Sequence, residues 1–237
     1  LLFKQSDDFA VFYIAMNKEI VINLNQLDAY LQKINKLFPA MDMIDQNINH
    51  ENIVNYYRNS LAIYKYIHSY QGSVHMALNY DGRFNKKGFF TQVNEIVELI
   101  KASKAKKVLE LGCGKGFNSI YLAKKMPDVK FSGIDITDEH LKIACRKSRH
   151  IKNLNFTYGD FHQLDYENDS FDLIFELEAI CHARDSRKVL SEAYRTLKKE
   201  GQFVVYDGFR HGGFDDLPEN LIQAATITEK ALAVDRF

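Results

Sequence analysis

The sequence predicts an α/β chain, a doubly wound and mostly parallel sheet preceded by a helical extension. Three observations carry this. From about residue 84, short β-like runs alternate with amphipathic helical stretches. A glycine-rich turn follows the first of those runs, and before about residue 82 helical periods dominate. Strands alternating with helices of this length build βαβ units. Right-handed crossovers then place the ligand crevice at the carboxyl ends of the strands.

The elements follow in chain order. Leu24, Leu27, Leu31, Ile34 and Leu37/Phe38 recur every three or four residues, and Pro39 ends that helix. A second helix is expected over roughly 50–70, with Ile53, Val54, Tyr57, Leu61, Tyr64 and Ile67 on one face; Gly72 and Asp81-Gly82 punctuate its exit. A helix carrying Phe89, Val93, Ile96, Val97 and Ile100 precedes the buried strand 107–111. Further strands are expected at 129–135, 154–159, 171–175 and 202–207, with helices at 117–126, 138–150 and 185–198. Thr137 is placed to cap the second of these helices, which has acids in its first turn. The domain division is a helical cap over 1–82 and a core over 83–237.

Composition narrows the function classes. Lys plus Arg (31) equals Asp plus Glu (31), whereas a surface devoted to a polyphosphate backbone carries a basic excess, so nucleic acid is not an expected partner. Cys113, Cys145 and Cys181 are odd in number and form no C-x-x-C pair, which reads as free thiols in a reducing compartment. The apolar run Phe9–Met16 is too short to span a bilayer. The chain opens at Leu1 and shows no secretory signal, and the expected location is cytoplasmic.

The chemistry concentrates in Glu110-Leu-Gly112-Cys113-Gly114-Lys-Gly116-Phe117. Glycines here let the backbone turn sharply and approach a ligand, and the next helix offers it an N-terminus. Alone, such a trio is also an ordinary strand-to-helix turn. The spacing is G-x-G-x-G, with Phe117 where a dinucleotide fingerprint has its third glycine. Asp135 ends the next strand, where a carboxylate accepts hydrogen bonds from a ribose diol; NAD enzymes use the same device. Asp160 and Phe161 end the strand after that, suited to an adenine amine and the face of its ring. Asp172, opening a buried strand, reads as structural.

Glu-Leu-Gly-Cys-Gly-Lys-Gly, the ribose acid, Gly159-Asp160 and Ser170-Phe-Asp-Leu-Ile174 resemble, in this order, the successive motifs of class I S-adenosylmethionine (SAM)-dependent methyltransferases. The resemblance covers about 84–210. It implies SAM as cofactor and a Rossmann-like methyltransferase core. Glu110, Gly112, Gly114 and Gly116 would surround its methionine part, Asp135 the ribose, and Asp160 with Phe161 the adenine, with Cys113 and Ile136 also counted at the cofactor. Leu197-Lys-Lys-Glu-Gly201 departs from the Pro-Gly-Gly often found in that turn. A narrower stretch, Glu176-Leu-Glu178-Ala-Ile-Cys181-His182-Ala183, is similar to sterol C-methyltransferases and their bacterial relatives, as are Tyr56-Tyr57 and Ser73-Val-His75-Met. It implies a small, apolar, sterol-, terpenoid- or lipid-like acceptor.

Glu178, His182 and Glu176 are the catalytic candidates, with Glu176 counted at the cofactor as well, and Tyr56, Tyr57 and His75 are the acceptor-side candidates. Glu178 leads because a carboxylate serves both as a base and beside a carbocation. His182 reads equally as a structural residue, Cys113 as loop filler, and Tyr56, Tyr57, Tyr64, Tyr66 and Tyr70, which could roof an apolar pocket, more often as helix core. His68 and His75 lack a third ligand at suitable spacing, so no metal is expected. The rivals are a SAM-binding partner subunit without turnover, an RNA or protein methyltransferase, and an NAD enzyme. For residues 1–82, homodimerisation competes with the cap. After Asp207 the sequence offers His211-Gly-Gly and a helix around 218–234, so the antiparallel hairpin that usually completes this fold is not expected within 211–237.

Overall fold

The computed structural model describes residues 2–4, 24–37, 48–63, 69, 72–81, 83–208 and 213–234. Expectations for Phe9–Met16, Phe38, Pro39, Tyr64, Tyr66, Ile67, His68, Tyr70, Gly82 and His211-Gly212 lie outside those residues.

The chain forms β1 (Leu2–Lys4), α1 (Leu24–Leu37) and α2 (His50–Ile63), then a 3-10 turn (Lys86–Phe90) leading into α3 (Thr91–Ser103). The alternating part follows as β2 (Lys107–Leu111), α4 (Phe117–Lys125), β3 (Lys130–Asp135), α5 (Asp138–Ser148) and β4 (Leu154–Tyr158). It continues through β5 (Phe171–Leu177), α6 (Ser186–Thr196), β6 (Leu197–Tyr206) and, last, α7 (Glu219–Ala231). The sheet order is β1-β6-β5-β2-β3-β4; five strands are parallel, and only β1 runs antiparallel, on the edge of β6.

Strands buried on both faces explain why the sheet reads as short continuous apolar runs. On one face, Val108, Phe131, Leu173, Phe175 and Val204 pack with Val93, Ile96, Val97 and Ile100 of α3 and Leu122 of α4. On the other, Leu109, Leu111, Ile134, Ile174, Phe203 and Val205 pack with Val189 and Ala193 of α6. Chain order reverses between β2 and β5, so a crevice opens where their carboxyl ends diverge, the position such folds use for ligands.

The structure adjusts three expectations. Residues 1–82 are not helical throughout, since Leu2–Lys4 pairs with β6. The expected turn Leu197–Gly201 is a bulge inside β6: Phe171 pairs with Leu197 but Leu173 with Gln202. Glu200 there has φ 64°, and a Cβ on Gly201 would lie 2.7 Å from the Lys198 carbonyl oxygen. Thr137 makes no side-chain cap; instead its backbone N–H donates to Asp135 Oδ1 at 2.8 Å. Asp172 has the structural role expected of it, accepting from the N–H groups of Lys106 and Lys107 and from Lys198 Nζ, each at 2.8 Å.

Candidate active site

The crevice is a cleft with about 830 Å³ of open space, its mouth included. One wall comes from the ends of β2, β3 and β4: Gly112, Gly114, Asp135, Ile136, Gly159, Asp160 and Phe161. The opposite wall comes from α2, the stretch 74–75 and the loop after β5: Ile53, Tyr57, Val74, His75, Glu178 and His182.

Asp135 is nearly fully buried at the β3 end, and its Oδ2 accepts from the Gly114 N–H at 2.7 Å. The Thr137 side chain and the Ile136 backbone hydrogen-bond the same carboxylate, which lines the cleft. Burial raises the Asp135 carboxyl above its ordinary range, against the hydrogen bonds that lower it. Asp160 is engaged by its neighbour: Oδ1 accepts from His162 N–H at 2.8 Å and lies 2.6 Å from His162 Nδ1. Burial opposes ionisation of Asp160, but His162 and Arg184 outweigh it and hold the carboxyl below its usual range.

Several predicted cofactor residues support the wall without lining the cleft. Glu110 anchors α4 to β2, accepting from Asn118 Nδ2 at 2.9 Å and from Ser119 N at 3.1 Å; burial raises its carboxyl to about 7. Cys113 is buried against Leu141, Ala144 and Phe156, which is filler. Gly116 has φ 77°, and a Cβ there would meet the Phe156 ring at 2.7 Å. Glu176 is 0% exposed, and its Oε2 accepts from the Ala179 and Ile180 N–H groups, so the structure places it beneath the cleft rather than at it. Burial, and then the nearby Asp207 carboxylate, push Glu176 well above its ordinary range.

Two of the three acceptor-side candidates, Tyr57 and His75, line the cleft together with Glu178 and His182. The Tyr57 hydroxyl lies 2.7 Å from His182 Nε2, and His182 Nδ1 lies 2.7 Å from the Ala233 carbonyl oxygen just beyond α7. A carbonyl only accepts, so Nδ1 carries the proton. Burial lowers the His182 pKa and favours the neutral ring, so Nε2 accepts from Tyr57 O–H. Both Glu178 oxygens lie 3.0 Å from the Met76 N–H. Burial raises this carboxyl to about 7, with Asp207 adding to the shift and the Met76 N–H opposing it. His75 has Nδ1 3.0 Å from the Met76 carbonyl and Nε2 3.1 Å from Asn118 Oδ1, linking this wall to Glu110. Tyr56 does not line the cleft; it packs edge-on against Tyr57, ring centroids 5.0 Å apart.

Sequence reasoning passed over Val74, Thr137, His140, His162 and Arg184, all of which line the cleft. His140 was legible as a polar residue in the first turn of the helix after Asp135. Burial lowers its pKa to about 4, and its Nε2 has no hydrogen-bond partner among the described residues.

Glycine loop, strand-end acid and switch-point cleft together define a class I methyltransferase fold. The chain belongs to the methyltransferase-domain family, whose profile matches residues 102–233. Sterol 24-C-methyltransferase of Debaryomyces hansenii is 28% identical over 71% of this chain and 45% of its own length. The phthiotriol/phenolphthiotriol dimycocerosates methyltransferase of Mycobacterium tuberculosis is 31% identical over 43% of this chain and 37% of its own. The chain thus spans about half the length of the curated relatives it matches, or less. Coclaurine N-methyltransferase, solved with N-methylheliamine and SAH, shares the fold at TM-score 0.55 and 14% identity, covering 78% of this chain and 54% of that one. Among the described residues no helix is long and apolar enough to cross a membrane.

Proposed function

We propose that this chain transfers a methyl group from SAM to a small, largely apolar acceptor of sterol, terpenoid or lipid-like character. The observation that carries the reading is the composite cleft. A wall suited to a nucleoside faces a wall of Tyr57, His75, Glu178 and His182 across one space. The names of the sterol and phthiotriol relatives support the acceptor class.

The residues present fit the cofactor. Asp135 places an anionic acceptor in the cleft wall for ribose hydroxyls, Ile136 and Phe161 give apolar surface for the base, and Gly112 and Gly114 leave the backbone open beside the cleft. A Cβ on Gly114 would come within 3.3 Å of Val74 Cγ2, narrowing the space where the two walls meet. When bound, SAM supplies a methyl group already activated on a sulfonium.

The chain's own residues then position the acceptor and exclude water. Tyr57 and His182 form a relay in which an acceptor proton passes to the phenolic oxygen as the Tyr57 proton passes to Nε2. The Ala233 carbonyl keeps Nδ1 protonated and so fixes which nitrogen receives it. Glu178, titrating near pH 7, supplies negative charge beside a carbon acceptor or holds a proton from a heteroatom. Glu176 acts through the backbone it holds after β5 and is a positioning residue. We assign residues 1–82 as a cap over the core at 83–237, supported by Tyr57 and by Arg58, whose Nε lies 3.2 Å from Glu139 Oε1 on α5.

The test is a labelled-methyl assay with sterols, polyprenols and fatty-acyl esters, products read by mass spectrometry. Transfer only to RNA or protein would replace the acceptor assignment. SAM binding with no transfer to any class would favour a partner subunit without turnover.

A further inference from the structure

The stretch between the acceptor wall and α3 carries a surface that methyl transfer does not use. Phe84 is 73% exposed, Met76 63% and Tyr80 52%, a local concentration of large apolar side chains in water. Arg83, Lys86 and Lys87 stand exposed beside Phe84, and among the described residues no carboxylate lies within ion-pair distance of any of the three. Two acids adjoin the patch: Asp81, whose Oδ1 accepts from the Arg83 backbone N–H at 3.0 Å, and Glu95 of α3, whose Oε1 accepts from the Tyr80 hydroxyl at 2.6 Å; three cations still outnumber them.

The stretch is held in place. Leu78 N–H donates to the Gly88 carbonyl at 3.1 Å, closing its base. Asn85 Oδ1 accepts from the Lys87 N–H at 2.9 Å, fixing the turn that carries the cations. Gly88 lies flat against Asn79, where an added Cβ would come within 2.5 Å of the amide. At its start, Met76 N–H is gripped by Glu178, and the two preceding residues, Val74 and His75, line the cleft.

We infer that Met76, Tyr80 and Phe84 with Arg83, Lys86 and Lys87 form a docking surface for a bilayer carrying anionic lipid. Exposed rings and a thioether suit the boundary between headgroups and acyl chains, and unpaired cations beside them suit anionic headgroups. A protein partner would gain from the same apolar atoms, but the three cations favour a surface dense in negative charge. Docking there would bring the rim of the cleft to the membrane, from which an apolar acceptor enters without crossing water. That purpose rests on the acceptor reading above, whereas the binding itself does not.

The experiment is cosedimentation of the full chain with sucrose-loaded vesicles. One set is phosphatidylcholine mixed with phosphatidylglycerol, and the other is phosphatidylcholine alone. The unaltered chain is expected to bind the mixed vesicles, to bind the neutral ones far less, and to release in high salt. Each cation reversed should lower partitioning at least about fivefold, and all three together on the order of a hundredfold. Phe84→Ser should weaken binding to both sets. Lys86→Glu/Lys87→Glu alone is the variant to use should the triple change lower the melting temperature. No cosedimentation of the unaltered chain, or equal binding by the charge-reversed chain, would overturn the inference. So would self-association abolished by Phe84→Ser without vesicle binding, which would mark a face between copies. Calorimetry with SAH on the same samples keeps the outcomes apart, since lost SAH binding would sink the methyltransferase reading and leave the vesicle result standing.

Discussion

His182 shows how one long-range contact decides a residue's chemistry. With Nδ1 committed to the Ala233 carbonyl, Nε2 is a lone-pair acceptor held at Tyr57, so either partner alone would lose the proposed relay. Tyr57→Phe and His182→Asn should each lower kcat by about a hundredfold or more, the usual worth of a positioned acid–base group, while SAH affinity stays near that of the parent. Stopped-assay kinetics beside calorimetry would check this. Unchanged kcat would return the pair to a structural role. Asp135 should show the opposite split. Asp135→Ala removes an acceptor for ribose hydroxyls and should weaken SAH binding by roughly 1.5–3 kcal/mol. Sequence reasoning ranks Glu178 first among Glu176, Glu178 and His182, on the chemistry of a carboxylate, which gives no reason for one of two glutamates to reach the cleft and the other not. Strict alternation along β5 puts the two on one face. In the structure Glu178 has φ 55°, a left-handed turn that breaks the alternation and leaves Glu178 at the cleft and Glu176 sealed below it.

At the scale of elements, α2 and the stretch 72–76 close the cleft that the sheet alone leaves open. Tyr57, Val74, His75 and Met76, whose N–H donates to Glu178, all precede residue 83. A chain beginning at 83 is therefore expected to lose turnover while keeping more SAH affinity than Asp135→Ala retains. Such a chain also lacks β1, so its β6 edge is unpaired and its melting temperature should fall. Full turnover in the truncated chain would remove the cap from the active site and leave dimerisation as its role. The core elements were legible because each rests on local pattern: Lys107–Leu111 begins and ends as its apolar run does, and the glycine loop follows it directly. β1 was not legible, since three residues carry no period and their pairing with Phe203 and its neighbours spans most of the chain. The bulge in β6 escaped notice for a related reason. Leu197–Gly201 reads as a turn through the family resemblance, and only the Phe171–Leu197 pairing shows that the strand runs on both sides of it.

For the whole molecule, the buried acids that shape the cleft set how stability responds to pH. Glu110 and Glu178 each rise from an ordinary 4.5 to about 7, chiefly through burial. Between those values the folded chain holds protons that the unfolded chain has released. Their contribution is therefore fully present below pH 4.5 and is lost as pH rises through about 7, on the order of 3 kcal/mol for each group. Asp135, Glu176 and Asp207 are raised as well and push in the same direction. His140 opposes them, because burial lowers it from 6.5 to about 4. The unfolded imidazole charges first, so its contribution is present above 6.5 and is lost as pH falls toward 4. The acids outnumber the imidazoles, so stability should decline as pH rises from 4.5 toward 7. Glu178→Gln should flatten that decline, having no proton to release. His140→Gln should steepen it by removing the opposing slope. Urea melts at several pH values across this window, on the chain without ligand, would measure all three proteins. A parent whose stability climbs through the window would overturn the expected decline. A Glu178→Gln curve parallel to the parent's would show that Glu178 does not differ in protonation between the folded and unfolded chain there, and so is not the group that titrates near neutrality in the cleft.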